Sequence, residues 1–359
     1  MSLMEKLTKP IGAPKTSGEA KRRTAVPTDV VGVELGGGDP RGCPAVRLVH
    51  RPGKSWAVRA VGFVPPPNVA IPTSWKELDR QPTWSLPAAF AAPYAALAVN
   101  SPDQVVRQTT LETLSDDGTK IERGAPVSKG GLRFAVEPMG EASFVLESGI
   151  PEFQALWLSR LLPEGRRPTA CSVQTSATAM LASLVEQPEF NAVGGNAAAL
   201  FVSGDAIWFV GFRGGVPVLF REFQGMGGGV KIREALKGGF GMDEKMMDEV
   251  LDDTLIDPSP ILAPILNPIL RQMELSLDYL RSRQGVAVEK VFLMGLTSGA
   301  RHWSKMSESM LNVKLTSPDL FDGVELPGRL DEATTALLKR SHVFMTAYGA
   351  ARAAMEDAE

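Results

Sequence analysis

Asp29-Val30-Val31-Gly32-Val33-Glu34-Leu35, running into Gly36-Gly37-Gly38-Asp39-Pro40, reads as an apolar strand that ends in a glycine turn. A second strand, Ala45–His50, returns and stops at Arg51-Pro52-Gly53-Lys54-Ser55. A third, Trp56–Phe63, runs out into Pro65-Pro66-Pro67. β-Branched runs bounded by glycine and proline clusters predict a strand meander. The pattern recurs. Ala198–Ser203, the turn Gly204-Asp205, Ala206–Phe212, the turn Arg213-Gly214-Gly215 and Val216–Phe223 form a second meander. Gly225-Met226-Gly227-Gly228-Gly229 then opens a helical stretch, Val230–Lys237. Gly36 and Gly204 lie 168 positions apart, which predicts two related halves in an α/β chain.

Each half needs helices to cover its sheet. Val173–Glu186 is alanine-rich and reads as a helix before the second meander, and Asp243–Leu251 reads as a charged helix after it. Asn267 as N-cap, Pro268 at the first helical position and Gly285 just past the end mark a further helix. Leu270, Met273, Leu277 and Leu280 form its apolar stripe, a core face. Val288–Met294 reads as a short buried strand, and a small-residue helix closes the chain around Val343–Met355.

Composition narrows the function. The 359 residues allow two sizeable cores, and 44% apolar, 22% charged and a net charge of −3 describe an ordinary globular balance. No clustered basic excess points to nucleic acid. Cys43 and Cys171 make no disulfide framework, and His50, His302 and His342 have no metal-ligand or triad spacing. No signal peptide is expected, because Met1–Val26 lacks a continuous apolar segment. Pro87–Val99 is broken by Pro93 and too short to span a bilayer, so a cytosolic protein without a transmembrane segment is expected. Residues 1–27 form a polar tail in which Lys6, Lys9, Lys15, Lys21, Arg22 and Arg23 face Glu5 and Glu19. Such a tail is either a weak anchor for an anionic surface or a solvated, disordered end.

Several phrases stand in an order that resembles the PilM family, the actin-like cytoplasmic proteins of type IV pilus assembly. Val31-Gly32-Val33-Glu34-Leu35-Gly36 resembles the family's opening "GIDIG", with Glu for Asp. Leu97-Ala98-Val99-Asn100 and Val105-Val106-Arg107 resemble the entry to its inserted subdomain. Gly215-Val216-Pro217-Val218-Leu219-Phe220-Arg221-Glu222-Phe223 with Gly227-Gly228 resembles its "G-x-P-x-x-x-R-x-x" strand and glycine pair. Ser276-Leu277-Asp278-Tyr279, Asp319-Leu320-Phe321 and Tyr348-Gly349-Ala350-Ala351-Arg352 resemble its later phrases. The resemblance implies a two-lobed actin-like (ribonuclease H-like) ATPase fold with an inserted 1C-like subdomain, arranged as in the division protein FtsA. Lobe 1 would span 28–190, with the insertion at about 86–165; lobe 2 would span 191–328, and 329–359 would return a helix to lobe 1.

The resemblance further implies ATP and Mg²⁺ held between the lobes. Gly36, Gly37 and Gly38, with Gly227 and Gly228 (and Gly229 beside them), would admit phosphate without a Cβ in the way. Gly295 and Gly299 would border the adenosine, and Glu34 would orient hydrated Mg²⁺. Both glycine groups also serve as plain turns, although their twinned placement favours phosphate contact. Three departures from the family pattern predict negligible ATP turnover. Val202 stands where a carboxylate is expected, Gly295-Leu296-Thr297-Ser298-Gly299-Ala300 is bulky where the base should pass, and Gln272 replaces a Glu, with Glu274 one face away. Arg221 and Lys231 read as a strand arginine and a helix-surface lysine rather than phosphate ligands.

The implied role is a scaffold, peripheral to the inner membrane through a partner. It would dock the N-terminal tail of a PilN-like inner-membrane protein in a groove between 1A and 1C, expected at Ala45–Phe63 and Leu97–Thr110. Other pilus assembly proteins are further candidate partners. The alternatives are a small-molecule kinase of the same superfamily and the cytoplasmic domain of a type II secretion component, which continues into a membrane helix.

Overall fold

The computed structural model describes residues 27–50, 56–114, 127–140, 144–162, 167–241, 257–295, 300–327 and 332–356. The basic tail, the helix expected at Asp243–Leu251 and Gly299 lie outside the described residues.

The first meander is β1 (Asp29–Leu35), β2 (Cys43–Val49) and β3 (Ala57–Val64). β1 also pairs in parallel with β4 (Tyr94–Val99). An inserted segment follows: β5 (Val105–Thr110), the short helix Leu111–Leu114, β6 (Val127–Lys129), β7 (Leu132–Pro138) and β8 (Phe144–Pro151). Helix α1 (Glu152–Leu161) then leads to β9 (Thr169–Thr175), which pairs in parallel with β4. The first sheet therefore runs β3-β2-β1-β4-β9, and β5-β8-β7-β6 make a separate antiparallel sheet.

After α2 (Ser176–Val185) and a short helix, Pro188–Ala192, the plan repeats with β10 (Ala197–Val202), β11 (Ile207–Arg213) and β12 (Val216–Glu222). Helices α3 (Gly229–Phe240) and α4 (Ser259–Arg283) precede β13 (Lys290–Gly295). Helix α5 (Ala300–Leu311) connects to β14 (Leu315–Thr316). The second sheet, β12-β11-β10-β13-β14, has the order and the directions of the first. After the short helix Glu332–Leu338, α6 (Met345–Glu356) returns to pack on β1 and α2.

Alternation along β1 explains how the layers form. Val31, Val33 and Leu35 enter a core with Trp157 and Leu158 of α1. Val30 points the other way, into a large core shared by α2, α6 and the inner face of the second sheet, Ala197, Ala199 and Phe201 included. A Cβ at Gly32 would lie 1.9 Å from the Ala347 carbonyl oxygen, so glycine is what lets α6 lie on the strand.

Several local expectations change. Val173-Gln174-Thr175 continues β9, because these residues pair with Leu97-Ala98-Val99, and Thr175 becomes the N-cap of α2. Asn267 is no N-cap: α4 starts at Ser259 and contains Pro264 and Pro268. These prolines leave the carbonyls of Pro260 and Pro264 without helical donors. Pro260, Pro264 and Pro268 all lie on the exposed face of the helix. Gly285 does end the helix, at φ +63°, with the Val286 N–H returning to the Leu280 oxygen at 3.0 Å. The span of about 86–165 takes in β4, a strand of the first sheet, and α1, which covers that sheet's outer face. The separate sheet itself occupies Val105–Pro151.

Candidate functional site

The two strand-end turns meet between the halves. Gly36 (φ +82°) and Gly38 (φ +69°) take the backbone round after β1. In the second half, the Ser203 N–H closes a tight turn on the Ala206 oxygen at 2.9 Å. A Cβ at Gly204 would lie 2.9 Å from the Gly37 oxygen and 2.7 Å from Asn100 Nδ2, so the turns touch backbone to backbone. Gly38 lies equally close to Val230 in the first turn of α3, where a Cβ would be 2.8 Å from its methyl.

Two of the donors at the start of α3 are already used. The Gly229 N–H donates to the Ser203 oxygen at 2.7 Å and the Val230 N–H to the Gly204 oxygen at 3.1 Å. Gly228 is packed so closely that a Cβ would fall 2.3 Å from the Ser203 oxygen. Beside Gly227 (φ +70°) runs the stem of Lys231. Gly295 (φ +89°) lies against the Val202 oxygen and Met180 Sδ.

Two carboxyl groups flank the contact. Burial pushes the Glu34 carboxyl from 4.5 to about 7; a hydrogen bond with Thr346 of α6 opposes this, and the charge of Asp39 adds to it. The neighbouring Cys43 thiol is pushed up to about 12, first by burial and then by Glu34. Asp39 differs. Burial would raise its carboxyl, but Arg41 and then Arg233 hold it below the usual range. Arg41 grips it through Nε to Oδ1 at 2.9 Å and Nη2 to Oδ2 at 2.7 Å, while Arg233 of α3 approaches from the second half at 3.9 Å.

As arranged, these residues do not fit a magnesium nucleotide. Hydrated Mg²⁺ keeps several waters and favours an ionised carboxylate, whereas Glu34 is buried between Thr346 and Gly37 with its proton favoured up to about neutral pH. A phosphate needs free backbone donors, and those of Gly229 and Val230 are bonded within the chain. Val202 proves to be a poor marker of the missing carboxylate. By register it matches Leu35, since both end a parallel pairing (Leu35 with Val99, Val202 with Gly295), and it points into the outer core with Ile232 and Leu236. The counterpart of Glu34 is then Phe201, so β10 offers no carboxylate on that face. Gln272 accepts from Arg221 Nη2 at 2.6 Å, which ties the strand arginine to α4.

A second candidate lies at the edge of the first sheet. β9 is an edge strand beside β8 of the inserted sheet, joined to it by Ser148 Oγ and Thr175 Oγ1 at 3.0 Å. Among the described residues no strand pairs with its outer edge. Nearby, α1 presents Leu156 and Phe153, and Phe153 meets the exposed Trp75 edge-on at 5.9 Å. Of the two segments expected to frame a groove, Leu97–Thr110 adjoins this edge, through β4 beside β9 and β5 beside β8, whereas Ala45–Phe63 does not. β2 and β3 lie at the opposite side of the sheet, and the outer edge of β3 is already bonded where the Val58 N–H donates to the Glu325 oxygen at 2.9 Å. Sequence reasoning missed β9 because the alanines that follow it drew Val173–Thr175 into a helix.

The two-fold use of one sheet plan, with α2 and α6 between the sheets, defines a two-lobed actin-like fold. A solved structure of a PilM-PilN type IV pilus biogenesis complex matches with a TM-score of 0.61 at 17% identity, over 92% of this chain and 98% of that one. More distant matches include the ADPNP-bound activator of the 2-hydroxyisocaproyl-CoA dehydratase from Clostridium difficile (TM-score 0.44, 8% identity, 92% and 95% covered). An archaeal actin homologue matches with a TM-score of 0.35 at 14% identity, over 92% and 99%. No family model and no curated protein matches the chain by sequence. Among the described residues no helix is long and apolar enough to cross a membrane.

Proposed function

We propose that the chain is a cytoplasmic scaffold of a type IV pilus assembly complex, held at the inner membrane by docking the N-terminal tail of a PilN-like membrane protein. The observation that carries this reading is the edge of β9, which no described strand covers, beside an inserted sheet, in a chain that shares its fold almost end to end with the PilM-PilN structure. An extended peptide added to such an edge gains main-chain hydrogen bonds, and neighbouring apolar side chains supply selectivity. In this reading Val105–Pro151 is the 1C-like subdomain, and the seam lies between it and the first sheet. The closed contact of Gly37 with Gly204 argues for a scaffold with a degenerate nucleotide site, and against a small-molecule kinase.

The test is a titration of the protein with a synthetic peptide of its PilN-like partner's cytoplasmic tail. Binding through main-chain bonds and apolar pockets depends little on salt, whereas attraction through the six basic residues of the tail is screened at moderate ionic strength. A chain beginning at Thr28 should therefore bind with near-unchanged affinity in moderate salt. Loss of binding on deleting residues 1–25, with the fold intact, would move recognition to the tail and defeat the seam.

A further inference from the structure

We infer that the angle between the two lobes is set by an internal latch rather than by a nucleotide, with the carboxylate of Asp39 standing in for a bound anion between the two turns. The side chain of Asp39 is fully buried, held by Arg41 of its own turn and reached by Arg233 from the other lobe. That arrangement places one negative and two positive groups across the junction, and the turn carrying Asp39 also packs on Val230 and Gly204. Two of the backbone donors at the start of α3, those of Gly229 and Val230, are meanwhile bonded to the Ser203 and Gly204 oxygens.

Two further attachments keep the lobes from swinging. The inserted sheet reaches across to the edge of the second sheet, where Gln108 accepts from the Phe220 N–H at 3.1 Å. The Gly140 N–H donates to the Pro217 oxygen at 2.9 Å. On the other side, α2 and α6 share one core with both sheets. A hinge fixed at three separate places has no remaining soft direction that nucleotide binding would need to close. One group at the junction is left unserved: Asn100 Nδ2 is buried with no acceptor, beside Gly204. It is the donor a small anion would engage, so the test includes one.

The inference does not rest on the pilus reading, because its test uses the full chain without any partner. ATP with Mg²⁺, and separately inorganic phosphate, are titrated calorimetrically, and amide hydrogen exchange is followed with and without each. The expected result is no binding tighter than about 1 mM, and unchanged exchange at Gly36–Arg41 and Gly228–Ile232. Arg233→Ala, which leaves Arg41 to partner Asp39, should accelerate exchange several-fold in those two segments, while β1 and β10 stay protected. Arg233→Lys should restore much of the protection. Sub-millimolar binding of Mg-ATP or phosphate that slows exchange there would overturn the inference. So would an Arg233→Ala protein whose exchange at both segments matches the parent.

Discussion

Gly349→Ala is expected to destabilise the protein by about 3 kcal/mol, although alanine is the better helix former by about 1 kcal/mol. Gly349 lies inside α6, where α6 crosses α2, and a Cβ there would fall 1.8 Å from the Ala179 carbonyl oxygen. That oxygen belongs to helix backbone and cannot rotate away, so the helices must separate. Separation would loosen the core that joins both lobes, including Met180, Phe201 and Tyr348. Gly238→Ala provides the control. It is also helical, but nothing stands within 4 Å of its added methyl, so it should be neutral or stabilising by up to about 1 kcal/mol. Urea unfolding of both variants measures the difference. A Gly349→Ala protein as stable as the parent would mean that α2 and α6 do not approach as closely as described.

The second large effect concerns pH. The Glu34 carboxyl is pushed from 4.5 to about 7 in the folded protein, chiefly by burial. Between those values the native state keeps a proton that the unfolded chain has released, so raising the pH favours unfolding. The stability Glu34 permits is complete below about pH 4.5, declines as pH rises towards 7, and is reduced above it by on the order of 3 kcal/mol. Glu34→Gln removes the titration while retaining the shape. Compared at about pH 5 and about pH 8, the parent should lose stability relative to the variant. Parallel pH profiles for the two proteins would show that the carboxyl is not buried as described.

Some of this architecture was open to reading from residues, and some was not, for physical reasons. Both meanders announce themselves, because strands buried on two faces need continuous apolar runs and their turns need glycine. Helix ends were less secure. Gly285 marks its helix end because a left-handed stop favours glycine, whereas Pro268 has the look of a start and lies inside a helix whose prolines are all exposed. Spacing to Gly204 singled out Val202, whereas facing is decided by strand register, which pairing alone reveals. Gly36 packs on Asn100, Gly37 on Glu34 and Gly204, Gly38 on Val230, Gly227 on Lys231 and Gly228 on the Ser203 and Gly204 oxygens. Whether twinned glycine turns hold a ligand or each other is a tertiary property that local spacing does not carry. The edge strand β9 was hidden for the same reason, since strand order follows from the whole chain path.

Amide hydrogen exchange on the complex with the PilN-like tail peptide tests the scaffold reading most directly. The account predicts new protection along Ala170–Gln174 of β9, with Cys43–Val64 and the Gly36–Arg41 turn unchanged. Protection confined to Cys43–Val64, with β9 exchanging as in the free protein, would contradict it.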